Sequence, residues 1–122
     1  MYSICLIYSL SFWDHEWSKH GTCSGLSQYD YFNDSINLIK QVGTPSMVTK
    51  AVGSTINADD LRDQFGGSTK TSLLCENGSY LVGLYTCWTR DNSGNPSSQT
   101  TCPSDVQSED TCRTNTLTVD AF

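Results

Sequence analysis

Apolar residues in the first half of the chain recur at intervals of three and four, which is typical of amphipathic helices. Ser27 is a suitable N-cap for one such helix. The apolar positions that follow it are Tyr29, Phe32, Ile36 and Ile39. We expect this helix to end near Gly43, because Pro45 lies just beyond it.

Three further helices are predicted around it. An aromatic-rich segment from Phe12 to Gly21 comes before Ser27, and a short helix covers Ser46 to Val52. Asn57 then caps another helix, with Asp59 and Asp60 in the first turn, where the helix dipole favours negative charge. We expect Leu61 and Phe65 to face the core and Gly66-Gly67 to end this helix.

The pattern changes to β after Ser68. Residues 71–75 and 80–88 are β-like runs around Asn77-Gly78, a favoured hairpin pair. Residues 91–101 are mostly small and polar and predict a surface loop, and residues 116–122 predict a last edge strand. Helices first and strands later indicate an α+β fold with helices packed on an antiparallel sheet.

Composition narrows the class of protein. The chain has 122 residues, enough for one domain, and a net charge of −6. That charge excludes the kind of nucleic-acid binder that depends on a large basic patch. No apolar run reaches the ~18 residues that span a bilayer, so we expect no membrane-spanning helix.

Six cysteines indicate disulfides and an oxidising compartment, because the count is even and no C-x-x-C pair occurs. They are Cys5, Cys23, Cys75, Cys87, Cys102 and Cys112. Asn33 and Asn77 lie in N-x-[ST] sequons and are candidate glycosylation sites. The apolar stretch near the N-terminus is short for a signal peptide, and the first basic residue is Lys19. We therefore expect the natural start, with any signal, to lie upstream of Met1.

The richest segment for chemistry runs from Phe12 to Cys23 and reads FWDHEWSKHGTC. It contains both histidines of the chain, His15 and His20. On a regular α-helix, with His15 at zero, Lys19 lies at ~40°, Glu16 at ~100° and His20 at ~140°. Two imidazoles, a carboxylate and an ammonium group are therefore expected on one broad face.

Four interpretations of this segment compete. A zinc protease would need H-E-x-x-H, but three residues separate Glu16 from His20, and imidazoles ~140° apart on a regular helix could not share one metal. A solvated charged face without function is the plainest alternative. A serine or cysteine hydrolase is disfavoured, since no G-x-S-x-G occurs and Cys23 suits a disulfide better.

The fourth interpretation is acid–base catalysis on a phosphodiester. Cleavage of RNA through its own 2′-hydroxyl needs a base for that proton, an acid for the departing 5′-oxygen and cations or donors that hold the phosphorane. Histidine can serve as either acid or base at mildly acidic pH, so no metal or other cofactor is needed.

The segment from Phe12 to Cys23 resembles the second active-site segment of the ribonuclease T2 family of acid ribonucleases. The resemblance implies that His20 is a catalytic acid–base residue, most simply the base on the 2′-hydroxyl. It implies that Glu16 and Lys19 stabilise the pentacoordinate phosphate, and that His15 binds phosphate. RNA, and not DNA, is then the substrate, because the reaction needs the 2′-hydroxyl.

The resemblance extends to the C-terminal region. Cysteines of similar family members pair in a nested manner, which implies Cys75–Cys112 and Cys87–Cys102. It implies a ribonuclease T2-like α+β fold with residues 1–11 as a stub outside the family domain and residues 12–122 as its C-terminal part. We expect a monomer, secreted or in a lysosome or vacuole.

One departure from the family is clear. An earlier family segment, F-T-x-H-G-L-W-P, supplies a partner histidine, and nothing like it occurs in the 122 residues. The usual partner of Cys23 also belongs to that earlier part, and Cys5 is a possible substitute. We therefore expect impaired ribonuclease activity. The rivals are a non-catalytic secreted module that binds RNA or protein, and a gene-model or splice fragment without function.

Overall fold

The computed structural model describes residues 11–121. Within them the chain forms two compact units. The N-terminal unit comprises residues 11–42 and 90–96, and the C-terminal unit comprises residues 43–89 and 97–121.

Two helical segments make up most of the N-terminal unit. Residues 11–16 are α-helical and continue into a π-helical turn, Trp17–Gly21; together they are α1. Helix α2 is Gln28–Val42. The Ser27 hydroxyl accepts a hydrogen bond from the Asp30 N–H at 3.1 Å and donates one to the Asp30 carboxylate at 2.7 Å. Both predicted helices and the Ser27 cap are therefore confirmed.

The apolar stripe that predicted α2 is largely exposed. Helix α2 contains no buried residue, and Tyr29 and Ile39 are 74% and 72% exposed. The rings that are better covered are Tyr31 and Phe32, with centroids 5.2 Å apart in an edge-on arrangement. The periodicity thus predicted the helix correctly, but this face packs little within the described residues.

The C-terminal unit begins with short elements. Helix α3 is Ser46–Ala51, strand β1 is Ser54–Asn57 and helix α4 is Ala58–Gln64. The Asn57 side chain accepts from the Asp60 N–H at 3.0 Å, so the predicted cap is confirmed. Strand β1 was not predicted, because four residues carry too little pattern.

The remaining elements form most of the sheet. They are β2 (Thr71–Glu76), β3 (Tyr80–Arg90), β4 (Pro96–Thr100), α5 (Ser104–Ser108) and β5 (Thr116–Val119). Four of the five strands follow the order β1-β5-β3-β2, and the fifth, β4, also pairs with β3. Strands β2 and β3 form the predicted hairpin, and both turn residues have positive φ: Asn77 at 51° and Gly78 at 74°. The α+β class is confirmed.

Three sequence predictions about the sheet are wrong in detail. Strand β5 is not at an edge, since it lies between β1 and β3. The expected loop contains strand β4, whose polar composition reflects its exposure and not an absence of pairing. The sheet is also not purely antiparallel, because β5 meets the start of β3 in parallel at Tyr80 and Thr118.

The hydrophobic core lies in the C-terminal unit. Its buried residues are Ala51, Ile56, Ala58, Leu61, Leu73, Cys112, Leu117 and Val119. Phe65 is half-buried and packs against them. Two disulfides, Cys75–Cys112 and Cys87–Cys102, join Cα atoms 5.0 and 5.2 Å apart. These are the two pairings that the family resemblance implies. Among residues 11–121, no helix is long and apolar enough to cross a bilayer.

Candidate functional site

The four candidate catalytic side chains all lie on α1. Glu16 is half-buried, whereas His15, Lys19 and His20 are exposed. His15 and Glu16 belong to the α-helical part, and Lys19 and His20 belong to the π turn. The sequence correctly predicted a helix here, but the regular α-helical geometry that we assumed ends before His20.

The π turn changes the geometry of the site. The Thr22 N–H donates to the Trp17 carbonyl at 3.0 Å, a bond between residues five apart instead of four. A wider turn rotates each residue through a smaller angle, so the two imidazoles diverge by less than the ~140° expected on a regular α-helix. Such single π turns occur often at functional sites.

Hydroxyl groups bond carbonyls along this distorted helix. The Ser18 hydroxyl donates to the Asp14 carbonyl at 2.7 Å, and the Thr22 hydroxyl donates to the Ser18 carbonyl at 3.2 Å. Such bonds from Ser and Thr to a carbonyl four residues earlier often accompany bent helices. The Ser18 and Thr22 hydroxyls therefore help to set the backbone conformation around the candidate catalytic residues.

The turn that follows α1 is held by Arg90. Its Nη2 donates to the Ser24 carbonyl and its Nε donates to the Gly94 carbonyl at 3.1 Å. The Cys23 thiol donates to the His20 carbonyl at 3.2 Å, and the Ser24 N–H donates to the Gly21 carbonyl at 3.0 Å. The backbone after His20 is thus tied within the N-terminal unit.

Asp91 organises the turn next to Arg90. Its carboxylate accepts hydrogen bonds from the N–H groups of Asn95 at 3.0 Å and Ser93 at 2.8 Å. These bonds, the one from Asn95 first, lower the pKa of Asp91 below its ordinary value of 3.8, and desolvation opposes them. The charged form of Asp91 therefore stabilises the turn.

The charged groups of α1 are not used up in internal pairs. In the described part of the chain, no ion pair joins Glu16 to Lys19 or His20; the ion pairs found there are those of Arg62. Nor do residues 11–121 contain a cluster of three or more His, Cys, Asp or Glu that could hold a metal. The arrangement offers two imidazoles, an ammonium and a carboxylate for acid–base chemistry and for contact with an anion.

The other predicted site residues are dispersed. Cys23 is exposed, and among the described residues it forms no disulfide; Cys5 lies outside them. Asn77 is exposed at the hairpin turn, whereas Asn33 is half-buried in α2. As an acceptor for a glycan, Asn77 therefore has the more open position.

Sequence reasoning missed the residues that support α1. It placed Gly21 only at the end of the aromatic-rich helical segment, whereas Gly21 is buried and ends a π turn. It assigned no role to Arg90, which lies between the predicted β-run at 80–88 and the predicted loop at 91–101. No pattern in the sequence signals either role, because both depend on contacts at close range.

Comparison with known proteins assigns the chain to a family. The sequence profile of the Ribonuclease T2 family matches residues 7–113. Ribonuclease 1 of Arabidopsis thaliana is 32% identical over 96 residues, which is 69% of this chain and 42% of that protein. A ribonuclease of Aeromonas hydrophila is 35% identical over 74 residues, 61% of this chain and 34% of that protein.

A third relative has a different name. The ribonuclease-like storage protein of Panax ginseng is 35% identical over 68 residues, 40% of this chain and 29% of that protein. No solved structure gives a significant match. The chain spans less than half the length of these curated relatives. With a profile match that covers most of its length, the chain belongs to the ribonuclease T2 family.

Proposed function

We propose that this chain carries the second catalytic segment of a metal-independent endoribonuclease and forms the C-terminal part of its domain. One observation supports this most: His15, Lys19 and His20 are exposed on one helix beside the half-buried Glu16, and within residues 11–121 no ion pair joins Glu16 to Lys19 or His20. Cationic and acid–base groups presented in this way are suited to an anionic phosphodiester.

The proposed reaction proceeds in two steps. His20 removes the proton from the 2′-hydroxyl, whose oxygen attacks the adjacent phosphorus, and the bond to the 5′-oxygen breaks. This gives a 2′,3′-cyclic phosphate, which water then opens to a 3′-phosphate. Lys19 and Glu16 stabilise the pentacoordinate phosphate, and His15 binds a phosphate oxygen.

A second acid–base group is needed to protonate the departing 5′-oxygen. Both histidines of the chain lie on α1, so a partner histidine would have to come from outside the 122 residues. A positioned acid or base contributes ~10²–10⁴-fold to the rate, and we expect the isolated chain to be slower than a complete site by at least that factor.

The second candidate function is a non-catalytic module that binds RNA or protein or serves as a store. Two observations favour it. The 122 residues contain no partner histidine outside α1, and the Panax ginseng relative is named a storage protein. Under this alternative α1 is retained as a scaffold, and His20 has no part in chemistry.

The compartment follows from the cysteines. Two disulfides form and persist in an oxidising environment, and an exposed sequon at Asn77 is accessible to glycosylation. We propose that the protein acts as a monomer outside the cytosol, in a secreted, lysosomal or vacuolar location.

The direct test is RNA cleavage by the purified chain in EDTA, between pH 4 and pH 8. We expect weak cleavage that is strongest at mildly acidic pH, cyclic phosphate as the first product, and no action on DNA. His20→Ala should abolish this activity, and Ser108→Ala, at an exposed position on helix α5 of the C-terminal unit, is the control that should retain it.

A version that carries an F-T-x-H-G-L-W-P segment from a relative at its N-terminus sharpens the test. We expect this version to be at least ~10²-fold faster than the chain alone, because it restores a second acid–base group. The ribonuclease proposal fails, and the binding module replaces it, if this version is inert or if His20→Ala leaves its rate unchanged.

A further inference from the structure

Gly21 lies directly beneath the indole ring of Trp17. A Cβ atom at position 21 would sit 2.2 Å from Trp17 Cε3 and 2.8 Å from Trp17 Cζ3. Both distances are far below an ordinary contact between carbon atoms, which is ~3.5–4.0 Å. Any side chain at position 21 would therefore displace the ring or unwind the turn.

Space, and not backbone conformation, makes glycine necessary here. Seven other glycines of the chain have positive φ, but Gly21 does not belong to that set. Its backbone is one that any residue could adopt. The requirement at position 21 thus comes from the indole ring, which occupies the volume that a Cβ would fill.

Aromatic side chains of α1 and α2 pack around the Trp17 ring. Trp17 meets Tyr31 of α2 edge-on, with ring centroids 5.8 Å apart and an interplanar angle of 65°. Tyr31 in turn contacts Phe32, and Phe32 contacts Trp13 at 4.4 Å between centroids. A displacement of the ring would therefore also disturb its contact with Tyr31.

The contact lies at the residues that define the π turn. Trp17 begins that turn and Gly21 ends it, and the Thr22 N–H bonds the Trp17 carbonyl. His20 lies between them, next to Gly21. A close fit of Trp17 on Gly21 thus sets the backbone from which the His20 side chain projects.

We infer that Gly21 and Trp17 are positioning residues that fix the π turn and thereby the direction of the His20 imidazole. The catalytic role of this positioning rests on the proposed ribonuclease function. The geometry itself can be measured without any activity. A misplacement of a reacting group by ~1 Å can lower the rate by ~10²-fold. A contact that fixes the direction of His20 is therefore expected to have a large effect on the rate of cleavage.

The test uses the full chain with Gly21→Ala, Trp17→Leu and the double variant. Gly83→Ala is the matched control, because Gly83 has no positive φ and a Cβ there would meet only Leu74 Cδ1 at an ordinary 3.8 Å. Circular dichroism and intact disulfides establish that each variant is folded. The readouts are hydrogen exchange of the Thr22 amide and the NMR signals of the two histidine rings, with His15 as internal reference.

For Gly21→Ala we expect exchange at Thr22 to become about tenfold faster and the His20 ring signals to shift more than those of His15. Gly83→Ala should change neither. Trp17→Leu should also shift the His20 signals and speed exchange at Thr22, because the indole ring no longer lies against the turn. In the double variant the added methyl group has no indole ring to displace, so the combined change should be smaller than the sum of the two single changes. Signals at His20 and Thr22 that stay unchanged in Gly21→Ala or in Trp17→Leu would overturn the inference, and so would a double variant whose changes add fully.

Cleavage of RNA is measured on the same variants. We expect Gly21→Ala to lower kcat by ~10²-fold with a much smaller change in KM, because substrate contacts outside the turn remain. If the wild-type chain and its extended version cleave no RNA, the proposed function fails, while the NMR and exchange data still decide whether Gly21 and Trp17 position His20.

Discussion

The two units of this chain differ in content: one contains the buried core and the other contains the candidate catalytic residues. The C-terminal unit holds the buried core and both disulfides, and Leu61, Leu73 and Leu117 are fully buried in it. The N-terminal unit carries the catalytic candidates, yet its longest helix, α2, has no buried residue. Elements that bind and react are commonly drawn from the less stable part of a protein.

The arginines show the same contrast. In the C-terminal unit, Arg62 binds the Asp110 carboxylate through Nε and Nη2 at 2.9–3.1 Å, and their side chains are only 16% and 20% exposed. Asp110 also accepts from the Leu73 N–H at 3.0 Å. In the N-terminal unit, exposed Arg90 binds two backbone carbonyls. Arg62 thus belongs to a partly buried hydrogen-bond network, whereas Arg90 makes hydrogen bonds at the surface.

The largest expected difference in the free energy of unfolding is between two truncations of apolar side chains, one in each unit. Leu73→Ala removes a fully buried side chain and should lower the free energy of unfolding by about 2–5 kcal/mol. Ile39→Ala, at a side chain 72% exposed on α2, should change it by no more than about 0.5 kcal/mol. Denaturant unfolding of both variants measures the difference.

An equal loss in the two variants would contradict this contrast. It would mean that the outer face of α2 is covered in solution. Repeating the Ile39→Ala measurement over a range of protein concentrations would then separate cover by a second copy from cover within one chain.

A smaller difference is expected between the two arginines. Arg62→Ala leaves the Asp110 carboxylate without its charged donor and should cost about 1.5–3 kcal/mol. Arg90→Ala should cost less than about 1 kcal/mol, because exposed polar contacts are replaced by water. Arg62→Lys and Arg90→Lys are the matched controls, and only the first should remain clearly destabilised, since lysine lacks the planar fork.

Thermal unfolding ranks these four variants. If Arg90→Ala lowered the stability as much as Arg62→Ala, the turn after α1 would be part of the cooperatively folded structure.

The smallest effect concerns pH. Because the pKa of Asp91 is lowered in the folded chain, its charged form stabilises the turn fully above pH ~3.8. This contribution is lost as the pH falls through the lowered pKa. Exchange of the Ser93 and Asn95 amides should therefore stay constant from pH 7 to pH 4, relative to the intrinsic rate, and lose protection only below that.

Asp91→Asn separates this contribution from general acid effects. Its side-chain oxygen still accepts hydrogen bonds but does not titrate, so the acid-dependent loss of protection should disappear. The same loss in Asp91→Asn would mean that another group controls the turn.

Local features of the chain were predicted where one residue and its near neighbours decide the structure. The caps at Ser27 and Asn57 and the turn at Asn77-Gly78 follow from hydrogen bonds and φ angles within a few residues. The candidate catalytic residues were found in the same way, since all four lie within six consecutive positions. Strand β4 was missed because its polar, exposed sequence lacks the alternation that usually marks a strand.

The sequence by itself determined helices α1 to α4, the hairpin and the chemical groups on α1, because these depend on local propensity and residue type. Only the tertiary structure decided that β5 lies inside the sheet, since strand order follows from pairing between distant segments. It also decided that the last turn of α1 is π-helical. That geometry depends on an indole ring that lies against Gly21 and is held by Tyr31, and contacts at van der Waals distance leave no periodic trace in the sequence.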